Sequence, residues 1–120
     1  NYKDVPIQGP FKGKELADKL RSCDIYITDS KWDSCPMHVI EGILSGLPIL
    51  YTNCEGGGKN LCELTKEKIG ESFENFPDLI EKIEQVNENY IFYRNNILNN
   101  LNIFSNDNCM NKYFRLIKNI

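Results

Sequence analysis

Apolar and polar positions alternate in two different ways along this chain. Before Phe76, short β-branched or aromatic runs are separated by segments whose apolar side chains follow helical spacing. The predicted strands are 5–8, 25–28 and 48–52, and the predicted helices between them are 14–22 and 36–46. Strands that alternate with helices pair in parallel, and the 25–28 run is apolar on both sides, as in a strand covered on both faces. The pattern therefore predicts an α/β fold, a Rossmann-like parallel sheet with helices on both faces.

The helix predicted at 36–46 has recognisable signals at both of its ends. Proline suits the first turn of a helix, where Pro36 stands, and the Gly46-Leu47-Pro48 run ends it. Its apolar positions are Val39, Ile40, Ile43 and Leu44. This spacing places them on one side of the helix, which we expect to face the core.

Anion-binding groups and acids meet at the start of this helix. The first-turn amides of Met37, His38 and Val39 have no partner within a helix, and such an end attracts anions, above all phosphate. Asp33 precedes the helix and Glu41 lies on its second turn, eight positions later. Carboxylates accept hydrogen bonds from hydroxyl groups. The arrangement predicts a site for a phosphorylated, hydroxyl-rich ligand.

Three small or polar segments follow the predicted strands. They are Gly9, 30–33 and 53–58. Ligands of parallel α/β sheets bind beyond the carboxyl ends of the strands, so these segments are predicted to converge on one edge. Residues 53–60 are predicted to be a flexible loop that leads into a short helix at 60–64. The following stretch, 68–73, is either a short strand or an irregular return.

From Phe76 onwards the pattern is helical and contains no predicted strand. Pro77-Asp78 opens an amphipathic helix, and 90–104 is rich in apolar residues and asparagine. Residues 105–107 carry a capping signal before a last amphipathic helix at 110–120. We expect 1–87 to form the ligand-binding α/β domain, with 88–120 as C-terminal helices packed on it within the same domain.

Composition narrows the class of protein. The 120 residues suffice for one domain, and a net charge of −3 argues against a nucleic-acid-binding surface. No apolar run reaches the roughly 18 residues that a transmembrane helix needs. The five cysteines are odd in number and form no C-x-x-C pair, which favours reduced thiols and a cytoplasmic location.

Several candidate residues also have simpler interpretations. Glu41 is equally typical of a solvated helix face, and Asp33 of a turn or cap. His38 is the only histidine, and no cluster of His, Cys or Asp accompanies it. A role for its backbone amide is therefore favoured over catalysis or metal binding. The Gly56–Gly58 run lacks the K-[ST] that follows in a P-loop, which argues against that motif.

The run from Asp29 to Ile49 resembles the signature of family four retaining glycosyltransferases, which have the two-domain GT-B fold. That signature is roughly S-x-x-E-x-x-P-x-x-x-x-E-A-x-A-x-G-x-P-V, with two acids in an E-x7-E motif. The matching positions are Ser30, Asp33 in place of the first Glu, Pro36, Glu41, Gly46 and Pro48. Upstream, Ile7-Gln8-Gly9 resembles the family's f-x-G, and downstream Gly56-Gly57 resembles its glycine turn.

The resemblance implies the C-terminal, nucleotide-sugar-binding domain of such an enzyme. It implies that Glu41 binds the ribose hydroxyls and that Asp33, the candidate catalytic residue, contacts the donor sugar. It further implies substrate contacts from a set around the helix start: Gly9, Ser34, Pro36, Met37, His38 and Val39. Helix amides would hold the diphosphate, so neither a metal nor a cofactor is expected.

The sequence also departs from the family pattern. Asp33 is one methylene shorter than Glu, and Lys59-Asn60 stands where the family often has P-E. The resemblance implies that the family's basic Arg and Lys pair, the first strands of the Rossmann-like domain and the acceptor-binding domain lie upstream of Asn1. The 1–87 domain is therefore expected to be incomplete at its N-terminus, and the chain to be a fragment that is inactive alone. The acceptor (sugar, lipid or protein) and peripheral membrane association of the parent protein are left open.

Other functions are compatible with the same residues. A nucleotide-sugar epimerase would share the fold and the donor site but need no acceptor. A catalytically inactive binding module of the same fold would explain the two departures. A flavodoxin-like receiver or cofactor domain fits the α/β pattern but not the motif.

Overall fold

The computed structural model describes residues 6–31, 37–54 and 56–104. In chain order the elements are α1 (Gly13–Arg21), β1 (Tyr26–Thr28), α2 (Met37–Leu44), β2 (Ile49–Thr52), α3 (Gly57–Cys62), β3 (Gly70–Phe73), α4 (Phe76–Glu88), α5 (Tyr90–Asn99) and α6 (Leu101–Phe104). None of the helices described has the length and apolar character needed to cross a membrane. The alternation of strands and helices confirms the predicted α/β class.

The three described strands form one parallel sheet with the order β1-β2-β3. Tyr26 lies opposite Ile49 in the first ladder, and Leu50 lies opposite Glu71 in the second. Each new strand is added on the same side of the previous one. Because both crossover connections are expected to be right-handed, α2 and α3 lie on the same face of the sheet. The parallel sheet with crossover helices is therefore confirmed, and 70–73 adopts the strand alternative.

Two apolar layers cover the two faces of the sheet. Ile49 and Leu50 on β2 are both 0% exposed, and adjacent strand residues point to opposite faces. The layer around Ile49 contains Val39, Ile40, Ile43, Leu61, Cys62, Ile69, Ile97 and Phe104. The layer around Leu50 contains Phe73, Leu79, Val86 and Tyr93. Helices α2 and α3 thus pack on one face, and α4 packs on the other.

The predicted end of α2 is confirmed in atomic detail. Gly46 has φ 81°, a left-handed conformation that favours glycine. Its amide donates to the Ile43 carbonyl at 2.9 Å, and the Leu47 amide donates to the Gly42 carbonyl at 3.1 Å. These two bonds are those of a Schellman motif, so the helix ends here and the chain enters β2 through Pro48.

Polar contacts join α5 to β3 and to the residues just before that strand. The Tyr93 hydroxyl lies 2.7 Å from the buried Glu71 carboxylate, and the Asn96 side chain donates to the Lys68 carbonyl at 2.8 Å. Burial, with the Glu71 hydrogen bond second, raises the pKa of Tyr93 to about 12. The phenol is therefore neutral at physiological pH and can donate to Glu71. These bonds fix α5 against β3.

Two strand predictions need correction. Residues 6–8 form no strand, and Ile7 is 96% exposed. The predicted burial of 25–28 on both sides is also wrong, because Ile27 is 45% exposed. Within the described ranges β1 pairs only with β2, so its outer side lacks the cover that a central strand receives.

The predicted 53–60 loop is shorter than expected. Helix α3 begins at Gly57 and ends at Cys62, where the sequence predicted a helix at 60–64. Leu61 and Cys62 enter the layer around Ile49, so core packing outweighs the low helix propensity of two glycines. The predicted cap at 105–107 and the helix at 110–120 lie outside the described residues.

Burial of α5 can be tested with two isoleucines of the same helix. Ile97 is 0% exposed in the core, whereas Ile91 is 71% exposed. Ile97→Ala should lower the free energy of unfolding by about 2–5 kcal/mol, because it leaves a cavity. Ile91→Ala should change it by less than about 0.5 kcal/mol. Urea unfolding followed by circular dichroism measures both, and equal effects would contradict the assigned packing.

Candidate functional site

The carboxyl ends of the three strands and the N-termini of three helices share one edge of the sheet. Helix α2 connects the carboxyl end of β1 with the amino end of β2, so it runs back along the sheet and begins at this edge. Helices α3 and α4 follow β2 and β3 and begin there in the same way. In parallel α/β sheets this edge is where ligands bind.

Direct contacts join the loops that follow the strands. The Thr52 hydroxyl donates to the Asp29 carboxylate at 2.9 Å, and the Cys54 thiol donates to the Lys31 carbonyl at 3.7 Å. A Cβ at Gly56 would lie only 2.7 Å from that same carbonyl oxygen. The loops after β1 and β2 are therefore in backbone contact. The predicted convergence of these two loops is confirmed for their described residues.

The start of α2 lies at this edge, as expected. Its first three residues are Met37, whose side chain is exposed, His38, which is partly exposed, and Val39, which is buried in the core. Amides in the first turn have no carbonyl partner within the helix. Their binding of a ligand stays a prediction. The predicted site residues Asp33, Ser34 and Pro36 lie outside the described residues.

Glu41 is exposed on the second turn of α2. It lines an open groove of about 310 Å³ between α1 and α2, together with apolar residues that include Leu16, Leu20 and Leu44. Leu44, predicted to face the core, is instead exposed on this groove. After burial, the negative charge of Glu41 is the second cause that raises the pKa of Tyr26.

Tyr26 contacts two residues of α2, which the sequence did not reveal. Its hydroxyl oxygen lies 2.9 Å from Nδ1 of His38, and its ring covers Gly42, where a Cβ would come within 2.9 Å of ring carbons. The sequence identified 25–28 only as an apolar strand. The available signal was Gly42 itself, one helical turn after His38, because a glycine inside a helix often marks a close approach by another group.

Gly9 is not joined to the start of α2 by the contacts described. It lies in the irregular segment before α1 with φ 102°, and the atoms nearest to a Cβ at Gly9 belong to Phe11. Its predicted place at the carboxyl end of a strand is wrong, since residues 6–8 are not a strand. Its part in ligand binding stays a prediction.

Known proteins provide no assignment for this site. Neither a protein-family model, nor a curated protein, nor a solved structure matches it. Among the residues described, no group of three or more His, Cys, Asp and Glu side chains is placed to hold a metal ion. The functional interpretation therefore depends on the sequence motif and on the position of α2 at the carboxyl ends of the strands.

The contact between Tyr26 and α2 can be tested with two helical glycines. Gly42→Ala would place a Cβ 2.9 Å from the Tyr26 ring, whereas at Gly58 the nearest atom would be 3.7 Å away. Overpacking costs about 1–3 kcal/mol, and alanine in a helix gains up to about 1 kcal/mol over glycine. We expect Gly42→Ala to be less stable than Gly58→Ala by about 1–3 kcal/mol in thermal and urea unfolding. Equal stabilities would show that Tyr26 does not press on α2.

Proposed function

We propose that this chain binds the nucleotide-diphosphate sugar donor of a retaining family four glycosyltransferase with the GT-B fold. The observation that carries the proposal is the motif of Ser30, Asp33, Glu41, Gly46 and Pro48 around one helix. The parallel α/β sheet supports it, because α2 begins at the edge where such sheets bind ligands. The joined loops after β1 and β2 support it further, since they form one surface beside that helix start.

The proposal divides the ligand among three groups of residues. The amides of Met37, His38 and Val39 bind the diphosphate, because a helix N-terminus offers free donors and a partial positive charge. Glu41 accepts hydrogen bonds from the two ribose hydroxyls, and its exposure leaves the carboxylate accessible for this role. Asp33, with Ser34 and Pro36 beside it, contacts the donor sugar.

The same groups serve the proposed chemistry. Transfer breaks the bond between the anomeric carbon and the diphosphate oxygen and forms a bond from that carbon to an acceptor hydroxyl oxygen, with the same anomeric configuration. The acceptor hydroxyl gives its proton to the leaving diphosphate. Negative charge develops on the leaving diphosphate, and amides already directed at it stabilise the transition state. A protein-bound metal is not required for this step. In this proposal another domain of the parent enzyme presents the acceptor.

A second candidate is a non-catalytic module that binds the same nucleotide sugar. Asp33 in place of glutamate and Lys59-Asn60 in place of P-E favour it, and both of the latter residues lie within α3. Both candidates bind the nucleotide sugar at the same site, but only the enzyme would transfer the sugar and release the nucleoside diphosphate. Release of UDP or GDP from the sugar donor by the parent protein would favour the enzyme, and binding without release would favour the module.

The ribose role of Glu41 can be tested by affinity. Two charge-assisted hydrogen bonds are lost in Glu41→Ala, each worth about 1.5–3 kcal/mol, so UDP-glucose or GDP-mannose should bind at least about a hundredfold more weakly. Glu81→Ala removes an exposed glutamate from α4 and should leave affinity unchanged. Isothermal titration calorimetry measures both variants. Unchanged affinity in Glu41→Ala would remove the ribose role.

A further inference from the structure

Tyr26 and His38 form a close pair between the sheet and α2. The Tyr26 hydroxyl oxygen and His38 Nδ1 are 2.9 Å apart, and the two ring centroids are 6.0 Å apart. The ring of Tyr26 occupies the space beside Gly42 that a larger residue would fill. Tyr26 is half-buried and packs against the apolar layer around Ile49. The pair is thus fixed by shape as well as by its hydrogen bond.

The environment keeps the Tyr26 hydroxyl protonated. Burial, followed by the charge of Glu41, raises the pKa of Tyr26 above its ordinary value of 10.0. A neutral phenol donates its proton readily, and the unprotonated nitrogen of a neutral imidazole accepts one. When Nδ1 of His38 accepts from Tyr26, the ring proton of the neutral imidazole resides on Nε2. In an imidazolium both nitrogens carry protons, so Nε2 is a donor in either state.

The position of His38 makes this donor relevant to a ligand. The two nitrogens lie on opposite edges of the imidazole, so Nε2 is directed away from the Tyr26 hydroxyl. His38 is the second residue of α2, and its side chain is partly exposed at the sheet edge. Its Nε2–H therefore belongs to the same end of the helix as the first-turn amides. The Nε2–H of His38 thus adds one side-chain hydrogen-bond donor to the backbone amides at the start of α2.

We propose that Tyr26 is a positioning residue that holds His38 with its proton on Nε2, so that Nε2–H donates a hydrogen bond to the diphosphate of the bound nucleotide sugar. This inference rests on the proposed function for the identity of the ligand. The tautomer of His38 does not rest on it, because the Tyr26–His38 contact exists without a ligand. The two parts can therefore be tested separately.

Nitrogen-15 NMR of the imidazole tests the tautomer without any ligand. At a pH high enough for the imidazole to be neutral, the Nε2 signal of the wild-type protein should have the shift of a protonated nitrogen and the Nδ1 signal that of an unprotonated one. Tyr26→Phe keeps the ring against Gly42 but removes the hydroxyl, so both tautomers should become populated. Tyr51→Phe removes the hydroxyl of another half-buried tyrosine, on β2, and should leave the spectrum unchanged. A proton on Nδ1 in the wild type would overturn the proposal.

Affinity for UDP and GDP tests the contact with the diphosphate. Tyr26→Phe should weaken binding by about twofold to threefold, because only the fraction of the imidazole that carries its proton on Nε2 can donate, while uridine and guanosine should bind equally well to both proteins. In a His38→Gln background, Tyr26→Phe should have no further effect, because Tyr26 acts through the imidazole. Tyr51→Phe again serves as the matched control. Thermal unfolding of each variant confirms that it is folded.

The outcomes separate this inference from the proposed function. If the wild type binds UDP or GDP and Tyr26→Phe binds it equally well, the positioning role is wrong and the donor site stands. If the wild type binds neither UDP, GDP nor the two nucleotide sugars, the proposed function is wrong, and the role of His38 toward a diphosphate falls with it. In that case the NMR spectra still decide whether Tyr26 sets the tautomer.

Discussion

The burial of β2 on both faces is the constraint on which the structure depends. Ile49 and Leu50 point to opposite faces and are both fully buried, so each face needs its own layer of helices. Parallel pairing on either side of β2 then requires crossover connections, and α2 and α3 provide them. Every crossover helix must begin where a strand ends. The burial of β2 on both faces therefore places the starts of the crossover helices, and with them the candidate site, at the carboxyl ends of the strands.

Two glycines allow close contacts in the loops beside α2 and on α2 itself. The absence of a side chain at Gly56 allows the Lys31 carbonyl to lie against the loop after β2, and the Asp29–Thr52 bond joins the same two loops. A second glycine, Gly42, admits the Tyr26 ring against α2. The first pair of contacts joins the loops after β1 and β2, and the second packs α2 against β1.

Local signals explain the elements that the sequence predicted well. Helical spacing around Leu16 and Leu20, and the glycine and proline that follow α2, place the helix bounds within one or two residues of those observed. Predictions failed where tertiary contacts decide the outcome. Glycines 57 and 58 suggest a loop, yet core contacts of α3 make them helical. The β-branched composition around Ile7 suggests a strand, but no neighbouring strand pairs with residues 6–8 within the described ranges.

The sequence by itself determined the alternation of strands and helices, the helix that begins near Pro36, and the spacing of Asp33 and Glu41 on which the proposed function rests. These depend on neighbouring residues and on local conformational preference. Only the tertiary structure decided that Tyr26 meets His38, 12 positions away, and that Lys31 meets Cys54, 23 positions away. Such contacts depend on how a crossover packs against its sheet. That packing is set by the shapes of distant side chains, which no local pattern records.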